Sequence, residues 1–204
     1  MNLPNKLTVA RFFMALVFVG LMAFHCIGAY LVAYVLFIIA AITDHYDGKI
    51  ARERNLITNF GKLLDPVADK VLMAGAFVSL MAVPSLWVPA WAVVVIITRE
   101  FLITGVRSLA ASGGNIIAAN TWGKTKTVLQ MVYVFTFLAL AIVGQIVRDY
   151  LIHLPWMPEI LEYFYPTLSI ASFGAIIVVA AVTVYSGIQF LRVNWHVLNL
   201  GEEI

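Results

Sequence analysis

Four aspartates of this chain lie where its hydrophobic segments begin and end. Asp44 and Asp47 close one long apolar run, and Asp65 and Asp69 open the next. An ionised aspartate is costly at membrane depth, so such a residue usually faces a polar cavity and marks a functional site. Together, these four carboxylates would form a candidate site for cation binding.

The spacing of the four aspartates predicts that each pair lies on one face of a helix. Asp44 and Asp47 are three positions apart, and Asp65 and Asp69 are four apart. Residues at these separations are neighbours on a helix surface. Because the connector 53–60 is short, we expect the two helices to be antiparallel neighbours whose carboxylates converge.

Converging carboxylates require cations, since four like charges cannot share a low-dielectric pocket unless they are neutralised. Two Mg²⁺ ions, or Mn²⁺ in their place, would balance the four charges. A pair of metals about 3.5–4 Å apart is the usual clamp for displacement at phosphorus. Gly48 and Gly61 would let a bulky ligand approach the helix backbone, and Arg52 offers a planar fork for a phosphate.

Other interpretations of the carboxylates remain open. Aspartates at helix ends often form ordinary ion pairs, here with Lys49 or Lys62. A divalent-cation transporter with an ion-conducting cluster would instead need polar residues that continue through the bilayer. Residues 71–97 offer only Ser79 and Ser85 for such a path, so transport is the less favoured hypothesis.

The composition predicts that these residues are held in a membrane protein. Of 204 residues, 62% are hydrophobic and 12% are charged, whereas soluble domains carry about 25% charged residues. A chain of this size could not bury that apolar excess in its own core. A soluble enzyme, a disordered chain and a disulfide scaffold are excluded, and the net charge of +2 does not suggest a nucleic-acid partner.

The hydropathy pattern predicts an all-α integral membrane protein with six transmembrane helices in a single domain, 1–204. The run from Phe12 to Thr43 contains no Asp, Glu, Lys or Arg and is long enough for two spans, broken near His25–Tyr30. The other spans are predicted at 63–83, 87–107, 127–147 and 168–191, with separators at Pro84–Pro89, Ala110–Lys126 and Arg148–Pro166. Glycines inside the spans are expected to allow close helix packing; they are Gly75, Gly105, Gly174 and Gly187.

The distribution of cations predicts the orientation. With the N-terminus inside, twelve of the thirteen Lys and Arg residues fall at inner loops and helix ends, and only Arg148 falls outside. The positive-inside rule therefore places both termini in the cytoplasm. We expect a multi-pass plasma (inner) membrane protein with its carboxylate site on the cytoplasmic side and an outer loop at 148–166.

The aspartates also belong to a longer string of residues. It is Asp44-x₂-Asp47-Gly48-x₂-Ala51-Arg52-x₈-Gly61-x₃-Asp65-x₃-Asp69, with eight identities across 26 positions. This string resembles, position for position, the signature of the CDP-alcohol phosphotransferases. These are six-helix membrane enzymes, commonly homodimers, that join a CDP-linked alcohol to a second alcohol and release CMP. The resemblance implies the same fold, chemistry and assembly here.

Three further segments resemble one branch of that family, the phosphatidylglycerophosphate synthases. They are Asn5-Lys6-Leu7-Thr8-Val9-Ala10-Arg11, Thr98-Arg99-Glu100 together with Arg107, and Gly123-Lys124-Thr125-Lys126-Thr127. The resemblance implies CDP-diacylglycerol as the donor and sn-glycerol 3-phosphate as the acceptor. Inositol 1-phosphate and serine remain the alternative acceptors.

The resemblance also implies roles for the motif residues. Asp44, Asp47 and Asp65 would hold one metal ion, and Asp44, Asp65 and Asp69 the other. Asp69 would be the general base that removes the proton from the acceptor hydroxyl. The residues that would bind CDP-diacylglycerol are Asn5, Thr8, Gly48, Ala51, Arg52, Thr58 and Gly61.

Four cations suggest where an acceptor phosphate would bind. Arg99 and Arg107 are eight positions apart, near the inner end of the fourth predicted span, and Lys124 and Lys126 begin the fifth. The positive-inside rule alone would put two or three cations there. Four of them around a metal pocket favour a site for an additional anion, namely the phosphate of the acceptor.

Overall fold

The computed structural model contains six long α-helices. They are α1 (Leu3–Met22), α2 (Ile27–Glu53), α3 (Asn59–Met81), α4 (Ala90–Ser112), α5 (Thr121–Ile146) and α6 (Met157–Val193), with a π-helical turn, Val147–Leu151, after α5. The structure describes the backbone of residues 3–53, 59–112, 121–154 and 156–195, and the side chains of residues 5–43, 67–111, 122–154 and 156–195. Every regular element in these ranges is helical, which confirms the all-α prediction.

Several of the helices are suited to a membrane. Within the described ranges, three segments are long and apolar enough to cross a bilayer, namely Asn5–Met22, Trp122–Leu151 and Met157–Val193, and Ile27–Thr43 forms a shorter apolar helix. Ionisable residues interrupt the apolar character of α3 and α4. The described helices therefore support a membrane protein, whereas the count of six spans and the cytoplasmic termini stay predictions.

The first two helices are separated where the sequence predicts a break. Residues 23–26 join α1 to α2, and His25 adopts a left-handed backbone conformation with a φ of 48°. His25 Nδ1 lies 2.9 Å from Tyr30 Oη, and Gln145 Nε2 donates a hydrogen bond of 3.0 Å to the His25 carbonyl. These contacts attach the turn to α2 and α5 and offset the strain of its backbone.

The predicted separator Arg148–Pro166 contains the interruption between the π-helical turn and α6, but its predicted bounds are too wide. The π-helical turn extends the helical path to Leu151, α6 already begins at Met157, and Pro166 lies inside α6. Proline has no N–H group and normally ends a helix, and this property led to the incorrect boundary. A long apolar helix tolerates an internal proline when its neighbours can satisfy the freed carbonyl group.

The other helices also exceed the predicted spans. For example, α1 begins at Leu3 rather than at Phe12, and α2 continues beyond Thr43 to Glu53. Hydropathy reports which part of a helix suits the hydrocarbon layer, whereas the backbone hydrogen bonds of a helix continue through polar residues. The extension matters because it places Asp44 and Asp47 within α2.

In the described part of the chain, α1 is the main partner of both α2 and α3. The rings of Phe18 and Phe37 pack 5.6 Å apart between α1 and α2. On α3, a Cβ atom added to Gly75 would lie 2.7 Å from a methyl carbon of Val19. The predicted pairing of α2 with α3 concerns their ends at 44–66, whose side chains lie outside the described residues.

The glycine predictions have mixed outcomes. Close approach is confirmed at Gly75 and at Gly187, where an added Cβ would lie 3.1 Å from Arg99 Cγ. It is wrong at Gly105 and Gly174, because nothing lies within 4 Å of an added Cβ there. Both of these glycines face open space, and sequence alone cannot tell which side of a helix meets a neighbour.

The contrast between glycines gives a testable stability prediction. Gly75→Ala should lower the free energy of unfolding by about 1–3 kcal/mol, because the stiff Val19 side chain cannot move aside without repacking. Thermal unfolding of the detergent-purified protein measures the effect. Gly174→Ala is the matched control and should leave the midpoint unchanged or raise it. Equal midpoints for the two variants would show that α1 and α3 do not pack this closely.

The second half of the protein is organised by α6, which packs against α4 and α5. At one end, the backbone N–H of Trp87 donates a 2.9 Å hydrogen bond to Ser172 Oγ, and its indole stacks on Phe173 at 4.3 Å. These contacts attach the α3–α4 connection to α6. Helices α3 to α6 then enclose a cavity that is lined by half of the described Asp, Glu, Lys and Arg side chains.

Candidate active site

A cavity of about 400 Å³ lies among α3, α4, α5 and α6. Its lining includes five basic and two acidic side chains. They are Asp69 and Lys70 from α3, Arg99, Glu100 and Arg107 from α4, and Lys124 and Lys126 from α5. The structure therefore brings the predicted base Asp69 together with all four cations that were predicted to bind an acceptor phosphate.

Helix periodicity explains how α4 reaches this cavity. Arg99, Ile103 and Arg107 stand at four-residue intervals, so that they share one face of the helix. All three line the cavity, and Ile103 is buried in its wall. Charged residues in membrane helices usually turn towards a polar interior rather than towards lipid, and α4 follows this rule.

Glu100 is the centre of a polar network in the cavity wall. Its carboxylate forms an ion pair with Lys126, accepts a 3.3 Å hydrogen bond from Gln130 Nε2 and lies 3.4 Å from Arg99 Nη1. The side chains of Glu100 and Lys126 are only 20% and 9% exposed. Because little water reaches these charges, their mutual pairing matters more than it would on a surface.

Helix α6 completes the network. Arg99 Nη2 donates a 2.8 Å hydrogen bond to Ser186 Oγ, and Gln130 Nε2 donates one of 3.2 Å to Thr183 Oγ1. The guanidinium carbon of Arg107 lies 5.0 Å from the centre of the Phe190 ring, a cation–π contact. A helix that the sequence analysis treated only as a span thus supplies part of the site.

Several of these residues were not predicted from the sequence. Glu100 appeared only within a resemblance, and Lys70, Gln130 and the α6 residues were not proposed at all. A signal was present on α6, where Thr183 and Ser186 lie three positions apart and Phe190 follows four positions later. Small polar residues on one face of a membrane helix often mark a contact with polar neighbours.

The four predicted phosphate-binding cations differ in their surroundings. Arg99 and Lys126 each have the Glu100 carboxylate as a partner. Among the described residues, Arg107 has only its contact with the Phe190 ring, and Lys124 is exposed and makes no ion pair. Arg99 and Lys126 therefore share one carboxylate within the wall, whereas Arg107 and Lys124 have no described carboxylate partner and are available to an anion.

Helix α1 presents a buried polar face. Asn5, Thr8 and Arg11 recur every three residues and are 7%, 3% and 0% exposed, and each makes polar contacts. Because α1 packs mainly on α2 and α3, Asn5 and Thr8 belong to the side of the protein that carries the aspartate motif. The sequence analysis did not propose Arg11 as a site residue, although no described side chain is more deeply buried.

Much of the predicted donor and metal site lies outside the described residues. Asp69 is partly buried and makes polar contacts, but it is the only one of the four aspartates whose side chain is described. No cluster of three or more potential metal ligands occurs among the described side chains. The predicted residues whose side chains are not described are Asp44, Asp47, Gly48, Ala51, Arg52, Thr58, Gly61 and Asp65.

Comparison with known proteins identifies the family. The profile of the CDP-alcohol phosphatidyltransferases matches residues 1–161, which include the aspartate motif and every cation of the cavity. The chain belongs to the CDP-alcohol phosphatidyltransferase family. This membership confirms the resemblance and the predicted enzyme class. The CDP-alcohol phosphatidyltransferase profile ends before Thr183, Ser186 and Phe190, so the match does not include their part of the cavity.

Individual CDP-alcohol phosphatidyltransferases extend the similarity. A Bacillus subtilis protein named CDP-diacylglycerol–glycerol-3-phosphate 3-phosphatidyltransferase is 38% identical over 209 residues, which cover 97% of each chain. A Rickettsia bellii protein of the same name is 41% identical over 132 residues, or 64% of this chain and 71% of its own. A Mycobacterium tuberculosis protein named probable phosphatidylglycerophosphate synthase is 39% identical over 139 residues, covering 67% and 65% of the two chains.

Proposed function

We propose that this chain transfers the phosphatidyl group of CDP-diacylglycerol to sn-glycerol 3-phosphate, forming phosphatidylglycerophosphate and CMP. The observation that carries the proposal is the similarity, over 97% of both chains, to the Bacillus subtilis protein that is named for this reaction. The cavity supports it independently, because an acid–base group and five cations line one space. An acceptor that has both a hydroxyl group and a phosphate suits such a lining.

The acceptor phosphate binds at the cationic side of the cavity. Arg107 offers two parallel N–H donors to a phosphate, and its contact with Phe190 orients the guanidinium plane. Lys124 contributes a mobile positive charge at the rim. Arg99 and Lys126 line the same wall from positions restrained by Glu100, so the phosphate meets a partly preorganised site.

Asp69 is the group that accepts the proton of the acceptor hydroxyl. The hydroxyl oxygen of the acceptor forms a bond to the β-phosphorus of CDP-diacylglycerol, the bond from that phosphorus to the oxygen of CMP breaks, and the hydroxyl proton passes to the Asp69 carboxylate. Asp69 shares the cavity lining with the cations. A small acceptor held by its phosphate therefore has its hydroxyl group close to the base, and such positioning supplies much of the rate.

The four aspartates would hold two Mg²⁺ ions, or Mn²⁺, with Asp44, Asp47 and Asp65 at one ion and Asp44, Asp65 and Asp69 at the other. The donor set fits, because hard divalent cations prefer carboxylate oxygens. Both aspartate pairs fall within continuous helices, since α2 extends to Glu53 and α3 begins at Asn59. When bound, the ions supply electrostatic stabilisation of the charge that develops at phosphorus and on CMP.

The donor is proposed to bind along α1 and the motif. Asn5 and Thr8, which are buried on α1, would contact the cytidine diphosphate. The other proposed contacts are Gly48, Ala51, Arg52, Thr58 and Gly61. The acyl chains of CDP-diacylglycerol would remain in lipid beside the apolar helices, so that only the headgroup enters the protein.

The proposed topology follows from the same site. Six helices cross the plasma (inner) membrane with both termini in the cytoplasm, and the cavity opens to the cytoplasm. The excess of cations near this opening supports the orientation. The assembly is proposed to be a homodimer, as is common in the family.

The function is tested by CMP release from detergent-purified protein supplied with CDP-diacylglycerol, Mg²⁺ and one acceptor at a time. The acceptors are sn-glycerol 3-phosphate, inositol 1-phosphate, inositol and serine. We expect release with glycerol 3-phosphate only, and its loss when the metal is chelated. Release with another acceptor would overturn the acceptor assignment, and no release from folded, Mg²⁺-loaded protein would favour the cation-transport hypothesis.

A further inference from the structure

Glu100 connects two of the helices that line the cavity. Helices α4 and α5 are not among the pairs that pack extensively in the described part of the chain. The Glu100 carboxylate of α4 nevertheless contacts both Lys126 and Gln130 of α5. These residues are 26 and 30 positions away along the sequence, so the link depends on side chains and not on close backbone packing.

The same network is attached to α6 at two points. Gln130 donates to Thr183 as well as to Glu100, and Arg99 donates to Ser186 while it pairs with Glu100. Thr183 and Ser186 are fully buried, which removes competing water from these hydrogen bonds. The network therefore restrains three of the four helices that line the cavity.

We infer that Glu100 is a positioning residue for the acceptor site, an inference that rests on the proposed function. Its carboxylate holds Lys126 and Arg99 at fixed positions in the wall, so that Arg107 and Lys124 are the cations free to close on the acceptor phosphate. Without the Glu100 charge, Lys126 and Arg99 are two neighbouring cations that repel each other in a site with little water. The binding geometry for the phosphate then loses its preorganisation.

A simpler role is that Glu100 only neutralises a buried lysine. In that case the pair would matter for stability, and removing both charges together would be harmless. In a positioning role, the pair would matter for the KM of the acceptor, and removing Lys126 as well would not restore it. The two roles therefore predict different results for a double variant.

The experiment compares Glu100→Gln, Lys126→Gln and the double variant in steady-state CMP release, with thermal unfolding recorded for each. Glu100→Gln should raise the KM of glycerol 3-phosphate at least about fivefold and leave the KM of CDP-diacylglycerol within about twofold. The double variant should keep an acceptor KM at least as high as that of Lys126→Gln alone, because Glu100 acts through Lys126 and Arg99. Glu159→Gln, the same change at an exposed position in the first turn of α6, is the control and should behave as the wild type.

Two results would overturn the inference in variants that remain folded. They are an acceptor KM raised less than fivefold or lowered in Glu100→Gln, and recovery of the acceptor KM in the double variant. Failure of the proposed function would be seen in the wild-type protein itself, which would then release no CMP with glycerol 3-phosphate. The comparison of variants is then made with whichever phosphorylated acceptor the wild type uses.

Discussion

Asp69→Asn is expected to lower phosphatidyl transfer at least about a hundredfold, which is the usual contribution of a positioned general base. Asparagine has nearly the same shape as aspartate but cannot accept the proton of the acceptor hydroxyl. The change also removes one of the charges proposed to hold the metal ions. CMP release at saturating donor and acceptor, measured over a range of Mg²⁺ concentrations, gives the loss. Restoration at high Mg²⁺ would assign the loss to the metal role rather than to the base role.

Asp149→Asn is the matched control. Asp149 is exposed in the π-helical turn and pairs only with the neighbouring Arg148, at 3.2 Å, in the described part of the chain. Surface pairs of this kind contribute little, so transfer should be unchanged. Near-normal turnover in folded Asp69→Asn protein would contradict the assignment of Asp69 as the base, and an equal loss in both variants would indicate a nonspecific effect.

Arg107→Ala is expected to raise the KM of glycerol 3-phosphate by about ten- to a hundredfold. A hydrogen bond that involves a charged group is worth about 1.5–3 kcal/mol, and each 1.4 kcal/mol corresponds to about a factor of ten in affinity. Arg107 has no described carboxylate partner. Its removal therefore does not leave a described carboxylate without its partner, and the effect reports the lost contact with the phosphate. Steady-state kinetics with each substrate varied in turn should show little change for CDP-diacylglycerol.

Two further variants test whether the effect depends on the guanidinium group and on its position. Arg107→Lys keeps the charge but lacks the planar fork, so it should recover only part of the affinity for the acceptor. Arg192→Ala removes an exposed arginine from the last turn of α6 and should leave both KM values unchanged. An effect of Arg107→Ala confined to CDP-diacylglycerol would move this side chain from the acceptor site to the donor site.

Local spacing made part of the site predictable. Asp69 could be placed on a helix with Asp65, and Arg99 with Arg107, because residues four or eight apart share a helical face whatever the rest of the fold does. The helix break near His25 followed from an equally local signal. The position of Pro166 inside α6 did not, because the cost of a proline depends on the neighbours that satisfy the freed carbonyl group.

The residues that organise the cavity were less accessible to sequence reasoning. Glu100 meets Lys126 and Gln130, and Gln130 meets Thr183 at a separation of 53 residues. Nothing in the spacing along the chain specifies such pairs. Gly187 shows the same limit, because its role is to leave room for Arg99 from another helix.

The sequence alone indicated that this protein belongs in a membrane, that it is helical and which class of reaction it catalyses. Hydropathy, helix periodicity and the aspartate string are properties of residues close together in the sequence, and they do not depend on how the helices pack. Only the tertiary structure decided which cations have a carboxylate partner and which remain available, because that depends on which helix faces meet. It is the packing of α6 against α4 and α5 that places Arg99 against Ser186, Arg107 against Phe190 and Gln130 against Thr183.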